Sequence, residues 1–161
     1  METIIQPVDE ILEALLDQMD GIFSDLPVDA LDWTPDPAMN SFSILIVHTT
    51  GALKYWIGEL LGGEPSGRDR QAEFAVKGLS KAQLHAHLNE TRAQLTRVLE
   101  QLSLEDLDKK HYSAIHKDYF TGVFALAHAI EHTALHVGHL EATRELWEQF
   151  DWQRKSSLAD V

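Results

Sequence analysis

The chain has 161 residues, no cysteine, and 26 acidic against 13 basic side chains, so its formal net charge is −13 with histidine neutral. This length is typical of one domain, which can bury enough surface to fold without disulfides. The lack of cysteine excludes disulfide frameworks, thiolate metal sites and a cysteine nucleophile, so any metal must be held by His, Asp or Glu. The negative charge, with no cluster of Lys or Arg, argues against binding to nucleic acids or anionic membranes.

The start of the chain and its hydropathy predict a cytoplasmic protein. Residues 1–7 begin acidic and lack the basic end and the apolar run of a secretory signal peptide. The longest purely apolar runs, such as 44–47, fall far short of the roughly 20 residues that cross a bilayer. We therefore expect neither secretion nor insertion into a membrane.

Four segments repeat apolar residues at three- and four-residue spacing, which predicts helices that each bury one stripe. The predicted N-cap of the second helix is Asn40, Ser41 or Ser43, and those of the third and fourth helices are Ser80 and Thr121. The predicted helices cover approximately residues 7–24, 40–62, 80–102 and 121–150.

The segments between the helices show no strand-like alternation, so we predict an all-α fold. Four amphipathic helices in a chain of this size most economically form a four-helix bundle, here with long inter-helix connections. We predict one bundle domain over residues 1–152 and a polar, disordered tail over 153–161. The spacing leaves the order and the direction of the helices open.

The fourth predicted helix carries four histidines on one face. At about 100° per residue, His139, His132 and His136 lie about 20°, 40° and 80° from His128. Apolar residues such as Leu135 share this arc, which predicts that the face is buried. The i,i+4 spacing of His132 and His136 lets two imidazoles bind one ion, although a ladder of hydrogen-bonded core histidines is the alternative.

A metal site in a bundle needs a ligand from a second helix, and His48 is the candidate. It shares an inward-facing arc of the second helix with Ala52 and Tyr55. Three neutral imidazoles around one divalent ion leave a coordination position for water or substrate, as in catalytic sites. An isolated histidine on an apolar face can also be a core residue, so both interpretations of His48 are open from the pattern alone.

Several known sites are excluded because parts of their motifs are missing. Thr133 follows His132 where a zincin has its glutamate, and no glutamate has a histidine three residues later, as di-iron bundles require. Neither a phosphate-binding loop nor the G-x-S-x-G turn of a serine hydrolase is present.

Short motifs around the histidines resemble those of a known family. They are Trp33-Thr34-Pro35, Asn40-Ser41-Phe42, Tyr55-Trp56, Gly62-Gly63 and Glu131-His132-x-x-x-His136-x-Gly138. With them the chain resembles the DinB/YfiT-like family of metal-dependent enzymes over about residues 11–150. The family motif often reads His-x-x-x-His-Arg-Gly-Gln, whereas this chain has Val137 and His139 in place of Arg and Gln.

The resemblance implies a four-helix bundle in which His48, His132 and His136 hold one divalent metal ion. Three imidazoles accept Zn²⁺ or Ni²⁺, and also Fe²⁺ or Mn²⁺. Family members with assigned activity include thiol-dependent S-transferases, such as those that use bacillithiol, and an isomerase that uses mycothiol.

The first functional hypothesis is therefore a transferase that joins a low-molecular-weight thiol to a small electrophile. His139 is the predicted catalytic group that handles a proton near the ion, with His128 as the alternative, and either could instead fill the core. The competing hypotheses are a metal-dependent hydrolase that uses water as the nucleophile, a non-catalytic stress-related bundle that binds a metal or ligand, and a bundle whose histidines bind nothing.

The resemblance also suggests a homodimer. Trp147, Phe150 and Trp152 near the end of the chain are predicted to supply an apolar contact patch.

Overall fold

The computed structural model describes residues 4–159, and its helices agree with the predicted all-α bundle. A 3₁₀ turn (Val28–Ala30) follows the first helix, and a π-helical segment (Lys54–Glu59) continues the second. A short hairpin of β1 (Lys110–Ser113) and β2 (Asp118–Thr121) precedes the last helix. The α-helices of the described range are α1 (Ile5–Phe23), α2 (Phe42–Leu53), α3 (Arg70–Ala75), α4 (Lys81–Leu99), α5 (Leu104–Asp108) and α6 (Gly122–Ala159).

The helices α2, α4 and α6 begin at predicted polar caps. The Ser41 side chain accepts the backbone N–H of Ile44 at the start of α2. Ser80 and Gln83 form a capping box at the start of α4. The Thr121 hydroxyl accepts the backbone N–H three residues later, at the start of α6. The first turns of these helices are therefore fixed by hydroxyl side chains that satisfy otherwise unpaired N–H groups.

The helices α1, α2, α4 and α6 form the bundle, and α1 and α2 occupy diagonal corners because each packs against both α4 and α6. α2 and α4 run parallel: Lys54 pairs with Glu90 at 3.1 Å, and one turn further along both helices Gly58 packs against Gln94.

The pairs α2–α6 and α1–α4 run antiparallel, and α1 therefore runs parallel to α6. Asp17 and Asp20 of α1 pair with Arg92 and His85 of α4, in reverse order along the chain.

His48 lies beside His136, whereas the later Trp56 of the π-helical segment lies beside the earlier His128, so α6 runs against α2. The chain must consequently travel back along the bundle between the parallel helices α2 and α4. This crossover, residues 60–80, contains α3, which packs against α2. The sequence predicted a polar connection here and missed α3.

The aromatic segment 111–120, which lies between the third and fourth predicted helices, is an antiparallel hairpin in which Tyr112 pairs with Tyr119. The two rings lie 5.1 Å apart and support the strands across the sheet. Each strand has only four residues, half of the eight are exposed, and β2 shows no alternation of buried and exposed positions, so a burial pattern does not reveal the strands in the sequence. The prediction that the chain has no strands is therefore corrected in this segment.

The end of the chain also differs from its prediction. α6 continues through Ala159, so 153–159 is helical rather than a disordered tail, and residues 160–161 lie outside the described range. Asp151 pairs with Arg154 at 2.7 Å and with Lys155 at 2.6 Å, and such i,i+3 and i,i+4 pairs favour a helix.

The predicted apolar patch near the end of α6 is only partly exposed. Trp147 is buried, with its ring 5.4 Å from that of Trp33, so it cannot meet a second copy of the chain. Phe150 and Trp152 remain exposed. None of the helices within residues 4–159 is long and apolar enough to cross a membrane.

The buried stripe of α1 predicts which of its side chains stabilise the bundle. Leu16 is fully buried, whereas Ile11 on the same helix is 45% exposed. We expect Leu16→Ala to lower the free energy of unfolding by about 2–5 kcal/mol, because it removes buried apolar surface and leaves a cavity. Ile11→Ala should cost less than about 1 kcal/mol. Urea unfolding of both variants tests this, and equal losses would contradict the packing of α1.

Candidate metal centre

The structure brings His48, His132 and His136 together. Each offers a ring nitrogen, and the three nitrogens lie within 4.8 Å of one another. The ring centroids of His132 and His136 are 4.5 Å apart, and that of His48 lies 5.1 Å and 5.0 Å from them. One helical turn of α6 therefore supplies two imidazoles, and the packing of α2 against α6 supplies the third. In the described part of the chain this is the one cluster with metal-ligand spacing.

The sequence predicted that the four histidines of α6 lie on its buried face, and this prediction is wrong. His139 is exposed, Leu135 is 51% exposed, and the other three histidines of the helix are half-buried. The core stripe instead follows small and apolar residues such as Ala129 and Val137, because α6 packs between α1 and α2. The histidines thus form a row along the edge of that stripe, where solvent can reach them.

Burial, reinforced by neighbouring imidazoles, keeps the two α6 histidines of the cluster neutral. It lowers the pKa of His132 to about 3, with a contribution from His136, and the pKa of His136 to about 4, with a contribution from His48. Both rings therefore present nitrogen lone pairs at neutral pH. Metal coordination requires this form of histidine.

His48 is oriented by Glu73, a residue that the sequence analysis did not single out. His48 Nδ1 lies 2.9 Å from Glu73 Oε2, and both side chains are buried. Burial alone would raise the pKa of Glu73, but hydrogen bonds from His48 and Arg68 outweigh it and lower that pKa. An ionised carboxylate can only accept, so His48 Nδ1 donates and Nε2 keeps the lone pair that can face the cluster.

The charge of Glu73 is balanced by Arg68, which lies in the same crossover. Arg68 Nε and Nη2 donate to the two carboxylate oxygens at 2.8 Å and 3.1 Å, and only 7% of the Arg68 side chain is exposed. Asp69 caps α3 by accepting the N–H groups of Gln71 and Ala72, which places Glu73 on the turn that faces α2. This cap was the sequence signal that could have identified α3.

Gly51 makes room for the Glu73 carboxylate. A Cβ atom at this position of α2 would overlap the carboxylate oxygen that Arg68 contacts. The close approach of α3 to α2 thus depends on the absence of a side chain at Gly51, one turn after His48.

His136 also has a partner outside the cluster, the exposed His139, and their Nδ1 atoms lie 3.3 Å apart. His128, one turn before His132, pairs instead with Glu131 at 3.2 Å and packs on Trp56 with ring centroids 4.7 Å apart. Of the two candidate proton-handling residues, only His139 therefore contacts a member of the cluster through a polar atom.

The hairpin closes the bundle beside His128. Tyr55 and Ser113 are hydrogen-bonded through their hydroxyl groups, and Ser113 Oγ lies 2.8 Å from His116 Nδ1. The His116 ring packs on Trp56 with centroids 4.9 Å apart. Aromatic side chains therefore fill this end of the row of histidines.

The geometry predicts a specific effect of Gly51→Ala. The new methyl group should displace the Glu73 carboxylate from His48 without unfolding α2, because the overlapping atoms are the end of a flexible side chain. We expect His48 to lose its single Nδ1–H tautomer, which ¹⁵N NMR of the imidazole detects. Gly21→Ala is the control, since a Cβ there meets nothing within 4 Å. An unchanged His48 spectrum in Gly51→Ala would contradict the orienting role of Glu73.

Comparison with known proteins identifies the family. Residues 11–140 match the family model described as the DinB superfamily. None of the curated proteins matches the chain in sequence.

Solved structures share the fold at low sequence identity. A conserved protein from Enterococcus faecalis is 20% identical, with a TM-score of 0.76 over 91% of this chain and 98% of that chain. YfiT from Bacillus subtilis, described as a probable metal-dependent hydrolase with an unusual four-helix bundle topology, is 16% identical, with a TM-score of 0.73 over 92% of each chain. A DinB-like protein from Bacillus subtilis is 18% identical, with a TM-score of 0.67 over 87% of this chain and 91% of that chain. By the extent of its match to the family model, the chain belongs to the DinB superfamily.

Proposed function

We propose that the protein is a metal-dependent enzyme in which His48, His132 and His136 hold one divalent ion. The observation that carries the proposal is the convergence of three ring nitrogens within 4.8 Å, from two helices. Nitrogen ligands on one tetrahedral zinc ion lie about 3.3 Å apart. Small rotations of the three side chains therefore suffice to bring their ring nitrogens to this spacing. The donor set, three imidazoles and no thiolate, suits Zn²⁺ or Ni²⁺ best and also accepts Fe²⁺ or Mn²⁺.

The residues around the cluster favour an open, catalytic type of site. Glu73 orients His48 from outside, as a carboxylate does in many metal sites whose ligands are histidines. Three protein ligands leave a coordination position for an exchangeable group. A divalent ion held there would lower the pKa of a coordinated thiol or water and would polarise an electrophile.

The reaction that we propose first is transfer of a low-molecular-weight thiol to a small electrophile. The thiol loses its S–H proton, its sulfur forms a bond to the electrophilic carbon, and the leaving group departs with the electrons of the broken bond. The chain has no cysteine, so the sulfur must come from a cosubstrate. We assign His139 the role of accepting the proton, because it is exposed and contacts His136.

The second candidate is a metal-dependent hydrolase, and the description of YfiT as such an enzyme favours it. The same residues would then activate water instead of a thiol. A bundle that binds a metal without turnover would share the ion but catalyse neither reaction.

Metal content tests the site. We expect about one divalent ion per chain in the purified or zinc-reconstituted protein, measured by plasma mass spectrometry. His48→Ala and His132→Ala should lose the ion because two imidazoles bind it too weakly. His111→Ala is the control, because His111 lies in the hairpin and makes only a 3.5 Å contact with a backbone carbonyl.

Circular dichroism of the same variants separates loss of the ion from loss of the fold. An ion that stays in folded His48→Ala, or is absent from the reconstituted wild type, would overturn the proposal.

The nucleophile is tested by product analysis with the metal-loaded protein. We expect a small electrophile to form a thioether only when a thiol is added, and product formation without thiol would favour the hydrolase. His139→Ala should retain the ion but slow the reaction by about 10²–10⁴-fold, the usual loss for a missing general base. A larger loss in His128→Ala than in His139→Ala would transfer this role to His128.

A further inference from the structure

We infer that a cavity beside His139 binds the uncharged, apolar part of the substrate. The inference rests on the proposed function and names the class of molecule that the site accepts. The cavity has a volume of about 240 Å³ and lies between α2, α6 and the loop before α2. Its lining residues are Ala38, Met39, Asn40, Leu45, His139, Ala142 and Thr143.

The cavity adjoins the candidate metal centre through His139. His139 forms part of its wall, and the Nδ1 atom of this histidine lies 3.3 Å from Nδ1 of His136. Ala142 and Thr143 continue the wall along the next turn of α6. A molecule that reacts at the centre can therefore extend its unreactive part along α6 into this space.

Side chains lie directly against the centre on two other sides. On the α2 side, Phe74 packs on His48 with ring centroids 4.6 Å apart, and the Arg68–Glu73 pair covers the Nδ1 edge of the same ring. Toward the start of α6, Trp56 packs on His128. Phe74 also lines a larger cavity, of about 440 Å³, whose wall includes the charged residues Asp32 and Lys77, so the cavity beside His139 is the uncharged one of the two.

The lining indicates an apolar and uncharged occupant. No lining residue carries an acidic or a strongly basic side chain, although charged residues make up 24% of the chain. The Thr143 hydroxyl already donates to the His139 carbonyl at 2.8 Å. A charged group placed here would lose part of its hydration without gaining a counter-charge from the lining, which is unfavourable.

The volume limits the size of the occupant. An apolar cavity of about 150 Å³ in another protein accepts benzene, so about 240 Å³ accommodates a somewhat larger group. We therefore assign the site to small molecules that carry an alkyl or aryl group of roughly four to eight non-hydrogen atoms, at about 30 Å³ per water-sized unit.

Binding of n-alkyl thiols from ethanethiol to hexanethiol tests the inference. The cobalt-loaded protein reports binding through its thiolate-to-cobalt absorption band, without any turnover. We expect the dissociation constant to fall about fourfold per added methylene, because each buried methylene contributes about 0.8 kcal/mol, until the cavity is full. 3-Mercaptopropionate should bind at least tenfold more weakly than butanethiol, which has a similar length.

Two alanines of α6 provide a variant and its matched control. Ala142 lines the cavity and Ala134 does not, and both are exposed, so neither substitution to Phe should disturb the bundle. Ala142→Phe should abolish the dependence on chain length, whereas Ala134→Phe should keep it.

The outcomes distinguish this inference from the proposed function. If cobalt binds but affinity is independent of chain length, or if both variants behave alike, the cavity is not the subsite and the metal centre stands. If cobalt does not bind, the proposed function fails and the inference fails with it.

Discussion

The arrangement of the site depends on one buried contact, the hydrogen bond between His48 Nδ1 and Glu73. An imidazole taken out of water needs a partner, and a carboxylate taken out of water needs a counter-charge. The crossover between α2 and α4 supplies both, since it carries Glu73 on α3 and Arg68 just before it. Removing either member of the ion pair would leave an uncompensated charge in the bundle. The same contact sets the direction of the His48 ring, and hence whether its second nitrogen can join the two imidazoles of α6.

The bundle topology explains why such a contact exists. Two parallel neighbouring helices cannot be joined by a short turn, so the chain must run back along the bundle between α2 and α4. In this protein that obligatory segment packs against His48. The π-helical segment at the end of α2 has a related effect. Tyr55, Trp56 and Ile57 are buried in succession in this wider turn, and the rings of Tyr55 and Trp56 close the site on the side of the hairpin.

The sequence predicts some of these features better than others. Apolar spacing and hydroxyl caps locate the four long helices, because burial of one stripe is a local property of each helix. The pairing of His132 with His136 is likewise local, whereas the approach of His48 depends on the antiparallel packing of α2 and α6, which the spacing leaves open. Glu73 could not be distinguished from other acidic residues of a polar segment, because its role arises from a contact 25 residues away in the chain. The burial of the α6 histidines was overestimated for a similar reason: a helix that packs against two neighbours centres its core stripe between them.

The central claim is that His48, His132 and His136 bind a single ion. Anomalous diffraction from crystals of the zinc-loaded protein, recorded at the zinc absorption edge, tests it most directly. We expect one strong peak per chain, about 2.0–2.1 Å from one nitrogen of each of the three imidazoles, with Glu73 still hydrogen-bonded to Nδ1 of His48. A peak held by other residues, or a peak that only two of these histidines reach, would contradict the account.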